Sequence, residues 1–235
     1  MKKKVVVLSG AGMSAESGIN TFRDSGGLWE QHRIEDVATY EGWLKNRKFV
    51  LDFYNRRRKQ LLTAEPNAGH RELVRLEQAF DVHIITQNVD DLHERAGSSS
   101  VLHLHGELRK ARSTIDPNYI VEIDGWELTE GMTDPQGAQL RPHIVWFGEA
   151  VPMIDRAAEL SGQADIYIVV GTSMAVYPAA GLIHYVPKRT PKYIVDPNDV
   201  PVGVPNVRYI KEPATVGLKK LVDELKNMDF ENIDF

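Results

Sequence analysis

Short runs of apolar residues recur along the chain and predict its strands. Residues 5–8 are all apolar and three of the four are valine, which is typical of a strand covered on both faces in a parallel sheet. Further strands are predicted at residues 82–86, 101–106, 142–147, 166–170, 193–195 and 207–210.

Between these runs, apolar residues recur at spacings of three and four, which is the periodicity of a helix. The spacing is clearest within residues 29–64, where it involves Phe49, Val50, Phe53, Tyr54, Leu61 and Leu62. Other helices are predicted at residues 70–80, 92–96, 157–160 and 215–225. Strands that alternate with helices in this way predict an α/β fold with a parallel sheet.

Two stretches interrupt this alternation. The first strand and the next convincing one, at residues 82–86, are too far apart for a simple crossover, so an insertion must lie between them. Residues 108–141 are polar and irregular, with one strand-like segment at 119–123. They predict a second, small insertion with little core of its own.

Four consecutive basic residues, at positions 56–59, lie on the longest predicted helix. We interpret Arg56, Arg58 and Lys59 as a solvated basic face. Arg57 lies three residues after Tyr54, so the two share a helical face, where a phenol and a guanidinium can together hold a carboxylate. Spacing alone is weak support for such a site.

A glycine turn follows the first strand. Gly10, Gly12 and Ala15 form a G-x-G-x-x-A pattern, in which glycines allow a tight turn and a close approach to a pyrophosphate. Residues 14–17 are then expected to open a helix whose N-terminus faces that anion. The pattern indicates a dinucleotide site, and the alternative is an ordinary turn between a strand and a helix.

A dehydrogenase of the usual kind would show a second strand that ends in an acidic residue about 20 positions after the glycine turn. Glu30 lies at that distance, but it sits in a loop-like, glycine-containing stretch with no strand before it. Hydride transfer is therefore disfavoured.

Polar residues follow several predicted strands, where α/β folds place ligand-binding groups. They are Gln87, Asn88 and Asp90; Gly171, Thr172 and Ser173; and Asp196. His103 and His105 lie at strand spacing and are expected on one face. A paired-histidine metal site is an alternative there, although no third ligand is evident.

Composition narrows the class of protein. The 235 residues carry a net charge of −5 with both signs interspersed and 8% aromatics, so no electrostatic footprint for nucleic acid is present. No apolar run is long enough to span a bilayer, and we expect a cytoplasmic protein without a membrane partner. Cysteine is absent, which excludes disulfides, thiol catalysis and thiolate metal sites. The oligomeric state is left open.

Five motifs in order carry a resemblance to a known family. They are residues 10–23, 86–90, 104–106, 145–149 and 171–173. With them the chain resembles the sirtuins, NAD-dependent protein deacylases, from about residue 5 to residue 225. The resemblance implies a Rossmann-type NAD-binding domain of residues 1–31, 65–107 and 142–235. It also implies a small domain formed by a helical insertion, 32–64, and a second insertion at the zinc-ribbon position, 108–141.

The resemblance also implies site residues. His105 would be the general base, and a neutral imidazole would take a proton from the ribose hydroxyls while the acyl-lysine oxygen attacks the anomeric carbon and nicotinamide leaves. The NAD site would comprise Gly10, Ala11, Gly12, Ser14, Ala15, Thr21, Phe22, Arg23, Gln87, Asn88, Asp90, Gly171, Thr172, Ser173 and Asp196. The backbone of an acyl-lysine peptide or protein would pair as an added strand with Val145, Trp146, Phe147, Gly148 and Glu149.

The zinc position departs from the family pattern. Family members usually carry two C-x-x-C pairs, whereas here Ser113 and Asp116 stand near the first pair and residues 134–137 near the second. Serine and aspartate cannot build a thiolate zinc site. We therefore predict an insertion without metal.

The helical insertion indicates which acyl group is removed. Tyr54, Arg57 and Ala38 are similar to the sirtuin branch that removes succinyl and malonyl groups, in which Tyr and Arg bind the acyl carboxylate and a small Ala makes room. Desuccinylation is expected to be at least as efficient as deacetylation. The alternatives are transfer of ADP-ribose to protein and a noncatalytic module that binds NAD or ADP-ribose.

Overall fold

The computed structural model describes residues 2–19 and 32–228, which fold around a parallel sheet. The strands of this part of the chain are β1 Lys4–Ser9, β2 Asp81–Thr86, β3 Val101–His103, β4 Gly106–Ser113, β5 Ile120–Glu122, β6 Leu140–Ile144, β7 Ile166–Val170, β8 Lys192–Val195 and β9 Val207–Ile210. Six of them form one sheet in the order β3-β2-β1-β7-β8-β9, and every neighbouring pair in it is parallel. The predicted α/β architecture is confirmed.

Helices connect these strands. Their bounds are α1 Gly12–Ala15, α2 Ile34–Val37, α3 Tyr40–Lys45, α4 Arg47–Leu61, α5 Ala68–Leu76, α6 Leu92–Ala96, α7 Ile154–Gly162 and α8 Ala214–Asn227, with a 3-10 helix at Ala179–Tyr185. Asn67 begins α5 by accepting from the amides of Gly69 and His70, and Gly97 ends α6 with φ of 106°.

The large sheet is covered on both faces. Val5 and Val7 point to the side of α5 and α8, while Val6 and Leu8 point to the side of α7 and the 3-10 helix. All four side chains are 0% exposed. The continuous apolar run of β1 is therefore explained by burial on two faces rather than one.

A third core joins the helical insertion to the second sheet. β4 pairs with β5 and β6 in an antiparallel sheet of three strands, whose Leu108, Ala111 and Leu140 pack with Phe53 and Leu61 of α4. The prediction that residues 108–141 are irregular apart from residues 119–123 was wrong, because this segment contributes to all three strands of this sheet. It has little core of its own, since its apolar residues pack against a helix distant in sequence. β4 and β6 also cross the predicted borders of residues 108–141, and the division into domains stays a prediction.

Arg58 does not lie on a solvated face, which corrects the interpretation of the basic run. Its side chain is 0% exposed and donates to the carbonyl oxygens of Leu108 at 2.6 Å and Trp126 at 2.7 Å, and to Asn55 Oδ1 at 2.8 Å. Arg56 and Lys59 are exposed as expected. Arg58 thus fastens α4 to the second insertion.

Several boundaries differ from the prediction, and three of these differences affect residues near the predicted site. The helix after the glycine turn begins at Gly12 rather than Ser14 and ends at Ala15. β3 ends at His103 and the chain bends at residues 104–105, so His103 and His105 do not share a strand face. The strand predicted at 142–147 ends at Ile144, since the next residues leave the small sheet.

Candidate active site

The glycine turn packs directly against the end of β7. Gly10 donates its amide to Val170 O at 3.0 Å, and Gly12 donates to Gly171 O at 2.8 Å. A Cβ on Gly12 would lie 2.8 Å from the Cα of Gly171, and one on Gly10 would lie 2.6 Å from the Cβ of Thr172. Glycine is required here because two strand ends meet at van der Waals distance, at the point where the strand order reverses.

The end of β2 is tied to the same turn by buried polar groups. Asn88 Nδ2 donates to Gly10 O at 3.0 Å and to Ser14 Oγ at 3.2 Å, while Ser14 Oγ donates to Asp90 Oδ2 at 3.0 Å. Burial raises the pKa of Asp90, although hydrogen bonds from Leu92 N and Ser14 oppose the shift. These bonds hold the carboxyl ends of β1 and β2 in a fixed relation.

A cleft of about 390 Å³ opens above these strand ends and brings together most of the predicted site residues. The residues predicted for the nucleotide line it, namely Gly10, Ala11, Gly12, Ala15, Gln87, Asn88, Gly171, Thr172, Ser173 and Asp196. His105 lines it too, as do the residues predicted for the substrate, namely Ala38, Tyr54, Arg57, Val145, Trp146, Phe147, Gly148 and Glu149. The volume falls within the range of small-molecule sites.

Some predicted residues lie elsewhere. Ser14 and Asp90 line a second, small pocket, which shares Ala11, Arg57 and Asn88 with the cleft. Thr21, Phe22 and Arg23 lie outside the described residues.

Sequence reasoning missed several residues that line the cleft. They include Glu16, Val89, Tyr177, Pro178, Pro197, Asn198, Pro213 and Ala214. The rule that ligands bind at the carboxyl ends of strands could have found Asn198 after β8 and Ala214 after β9. Nothing in the sequence indicated that Tyr177 would line the cleft, because it lies in a loop and belongs to none of the motifs.

His105 is held in one tautomer by its neighbours. Its Nδ1 lies 3.1 Å from Gln87 O, and because a carbonyl oxygen only accepts, Nδ1 must carry the proton. Its Nε2 is then the basic atom. Burial lowers the pKa of His105, with the bond to Gln87 O acting in the opposite direction, so the ring is neutral at neutral pH.

The backbone contacts of residues 105 and 106 also fix the position of His105. Gly106 has φ of 80°, and a Cβ there would lie 2.0 Å from His143 O. The carbonyl of His105 accepts from Val145 N at 2.9 Å. His103 makes structural contacts instead, with Nε2 at 2.7 Å from Glu94 Oε1 and Nδ1 at 3.1 Å from Asn88 O.

Tyr54 and Arg57 of α4 reach the cleft together. Burial raises the pKa of Tyr54 to about 12, with nearby Arg57 acting in the opposite direction, so the phenol keeps its proton. Arg57 is half-buried and stays cationic, because a guanidinium does not lose its proton in proteins. Two neighbouring hydrogen-bond donors therefore line the cleft, which is also lined by the buried Ala38.

The segment after β6 crosses the cleft. Phe147 donates its amide to Ala38 O at 2.9 Å, which joins the segment to the helical insertion. The carboxylate of Glu149 accepts from Arg141 Nη1 at 2.7 Å and from Trp146 N at 2.8 Å. Burial opposes ionisation of Glu149, but these bonds outweigh it and lower its pKa.

Ser113 and Asp134, near the positions where the resemblance implied zinc ligands, form a hydrogen-bonded pair. Ser113 Oγ donates to Asp134 Oδ2 at 2.5 Å and accepts from the amides of Ile115 and Asp116 at 3.1 Å. Asp134 Oδ1 accepts from the amides of Gln136 and Ala138 at 2.9 Å. Both carboxylate oxygens are thus engaged, and no group of three or more metal-ligating residues exists within residues 2–19 and 32–228. These residues do not fit zinc.

The fold and the site define a class of protein. A parallel sheet with a glycine turn at its reversal point, polar strand ends and one oriented histidine is an α/β dinucleotide-binding architecture. The family follows from comparison, since the model of the Sir2 family matches residues 10–178. The chain belongs to the Sir2 family.

Curated relatives cover nearly the whole chain. A protein of Bacteroides thetaiotaomicron named NAD-dependent protein deacylase is 52% identical over 225 residues, which are 93% of this chain and 96% of that protein. One of the same name from Aggregatibacter actinomycetemcomitans is 58% identical over 198 residues, or 84% of this chain and 95% of the relative.

Solved structures agree with the fold. A Sir2 homologue in complex with ADP-ribose superposes with a TM-score of 0.89 at 38% identity, covering 96% of this chain and 92% of that one. A Sir2 homologue in complex with NAD gives 0.83 at 39% identity, covering 96% and 90%. In the part of the chain that the structure describes, no helix is long and apolar enough to cross a membrane.

Proposed function

We propose that this chain is an NAD-dependent protein-lysine deacylase that prefers acyl groups ending in a carboxylate. The observation that carries the proposal is one cleft whose lining combines the glycine turn, His105 and the donors Tyr54 and Arg57. The names of its relatives support the NAD dependence and the deacylase chemistry.

The nucleotide side fits NAD. The backbone of the glycine turn has no side chains to obstruct a pyrophosphate, and Ser173 and Asp196 offer polar groups toward an adenosine. The side-chain amides of Asn88 and Gln87, which also line the cleft, would bind the ribose and the nicotinamide carboxamide. When bound, NAD supplies an electrophilic anomeric carbon with nicotinamide as the leaving group.

His105 acts as a general base in this proposal. Its Nε2 is the free, basic nitrogen of a neutral ring, because Nδ1 is held by Gln87 O. It takes a proton from a ribose hydroxyl of the bound nucleotide. A protein nucleophile would be unnecessary, because the substrate amide oxygen would attack the anomeric carbon as nicotinamide leaves. After addition of water, the lysine amine would be released and the acyl group would remain on ADP-ribose.

The segment 145–149 binds the peptide. Val145 N and Phe147 N donate to His105 O and Ala38 O, and Trp146 N and Glu149 N are also bonded inside the protein, so the segment is held in place and would pair with the peptide through its remaining backbone groups. Backbone pairing of this kind gives affinity that depends little on peptide sequence. The small domain in this proposal comprises residues 32–64 and 108–141.

The acyl end explains the preference. A succinyl or malonyl carboxylate would accept hydrogen bonds from a neutral phenol and from a guanidinium. Hydrogen bonds from a guanidinium to a carboxylate are charge-assisted and therefore strong. An acetyl group leaves both donors without this partner. The carboxylate therefore adds binding energy at a place remote from the reacting atoms.

One assay tests the proposal. The protein is mixed with NAD and either an acetyl-lysine or a succinyl-lysine peptide, and nicotinamide and peptide mass are followed with and without EDTA. Faster loss of succinyl with release of nicotinamide is the expected result. Label from NAD on protein without acyl-ADP-ribose would indicate ADP-ribose transfer, and no nicotinamide at all would indicate a binding module.

A further inference from the structure

Tyr54 has a buried hydrogen-bond partner that fixes the direction of its hydroxyl group. Trp146 Nε1 lies 3.0 Å from Tyr54 OH, and both side chains are 2% exposed. An indole N–H only donates, so the phenol oxygen must be the acceptor in this bond. The phenol proton therefore points away from Trp146.

We infer that Trp146 is a positioning residue for acyl selectivity, because it turns the Tyr54 hydroxyl proton toward the acyl carboxylate. The inference rests on the proposed carboxylate site of Tyr54 and Arg57 and adds a residue to it. Trp146 does not touch the carboxylate. Within residues 2–19 and 32–228, the bond from Trp146 is the one hydrogen bond of the Tyr54 hydroxyl, and because Tyr54 lines the cleft, a ligand there can accept its proton.

Trp146 is rigid enough for this role. Its amide is held by Glu149 Oε2 at 2.8 Å, and the guanidinium of Arg141 lies 3.4 Å from the centroid of its ring. The ring of Trp43 packs on it at a centroid distance of 5.8 Å. A donor fixed in this way costs no reorganisation when the ligand binds.

The bond also joins two segments distant in sequence. Tyr54 belongs to α4, whereas Trp146 belongs to the segment that follows β6 and crosses the cleft. The same segment binds Ala38 O through Phe147 N. The orientation of the acyl site is thus coupled to the segment proposed to bind the peptide backbone.

The test is the ratio of kcat/KM for succinyl-lysine to that for acetyl-lysine peptide. W146F keeps a buried aromatic ring and removes the N–H, so the ratio should fall about five- to tenfold, the scale of one neutral hydrogen bond. The loss should appear mainly as a higher KM for the succinyl peptide, because the contact is made equally before and during the reaction. A benzothienylalanine at position 146, which preserves the ring shape, should give the same result.

A double-mutant cycle separates positioning from packing. In the Y54F background, W146F should not lower the ratio further, since the hydroxyl that it orients is absent. The matched control is W43F, which alters the same aromatic cluster without touching the Tyr54 hydroxyl and should leave the ratio unchanged.

The possible outcomes distinguish three claims: the positioning role of Trp146, the carboxylate site and the deacylase activity. A fall in kcat/KM that is equal for the two peptides, or effects of W146F and Y54F that simply add, would overturn the positioning role while leaving the carboxylate site intact. If Y54F and R57M also left the ratio unchanged, the carboxylate site itself would fail. If no variant or wild type released nicotinamide, the proposed deacylase would fail.

Discussion

His105 Nδ1 lies 3.1 Å from the carbonyl oxygen of Gln87, so the backbone at the end of β2 selects the tautomer of the proposed general base. Burial lowers the pKa of His105 from its usual value of 6.5, so the neutral form of the ring, which can act as a base, predominates at neutral pH. The bond and the burial together prepare Nε2 to accept a proton near neutral pH.

The first prediction concerns pH. The kcat/KM should rise with pH through a midpoint below 6.5 and then level off, because protonation of His105 removes the base. H105Q should lose activity about 100- to 10,000-fold and lose this acid limb. H103Q is the matched control and should retain the limb, since His103 bonds to Glu94 and Asn88 O. An acid limb that survives in H105Q would assign the base to another group.

The second prediction concerns Arg57. R57M should lower kcat/KM for the succinyl peptide about 10- to 100-fold more than for the acetyl peptide, because a charge-assisted hydrogen bond to the carboxylate is lost. R56M is the neighbouring control: Arg56 is exposed, binds Asp52 O and does not line the cleft. Equal losses for both peptides in R57M would contradict a carboxylate-binding role.

The third prediction concerns the zinc position. S113A removes the bond to Asp134 and the acceptor for two amides, so the Tm should fall by roughly 3–8 °C. S98A is a matched control, because the Ser98 hydroxyl is buried without a hydrogen-bond partner and its loss should change Tm little.

The same site should be indifferent to chelation. EDTA should leave both Tm and activity unchanged, since the hydrogen-bonded pair of Ser113 and Asp134 occupies the place of the ligands. Stoichiometric zinc found by elemental analysis of the purified protein would refute the prediction of a metal-free insertion.

The fourth prediction concerns Arg58. R58M should destabilise the protein by about 2–4 kcal/mol, because the buried carbonyl of Leu108 and the partly buried carbonyl of Trp126 lose their donor. R56M, on the exposed face of the same helix, should change the free energy of unfolding by less than about 0.5 kcal/mol. Urea denaturation with a common m value would measure both. A small effect of R58M would mean that water replaces the guanidinium.

Local patterns were enough to locate the main elements of the large sheet. The run at residues 166–170 and the helix at residues 92–96 agree with the structure to the residue. A strand buried on two faces is apolar throughout, and such a run can be recognised in the sequence. A glycine commonly ends a helix, so Gly97 indicates where the helix before it stops. The polar ends of β2 and β7 were also predictable, because parallel strands bring their carboxyl ends to one edge.

The resemblance to a family supplied roles that spacing could not. Without it, Tyr54 and Arg57 were two residues on one helical face, and His105 was one of two histidines of similar standing. A motif identifies such residues because other proteins that carry the same motif place them in a known spatial arrangement.

Tertiary structure alone decided the remainder. Arg58 and Arg56 stand in the same basic run, yet one is buried and the other exposed, because the second insertion covers one side of α4. Likewise, Trp146 and Tyr54 are 92 residues apart, and nothing in either local sequence indicates that they bond. Short-range periodicity reports which side of an element is covered, whereas the identity of the covering partner depends on how distant segments pack.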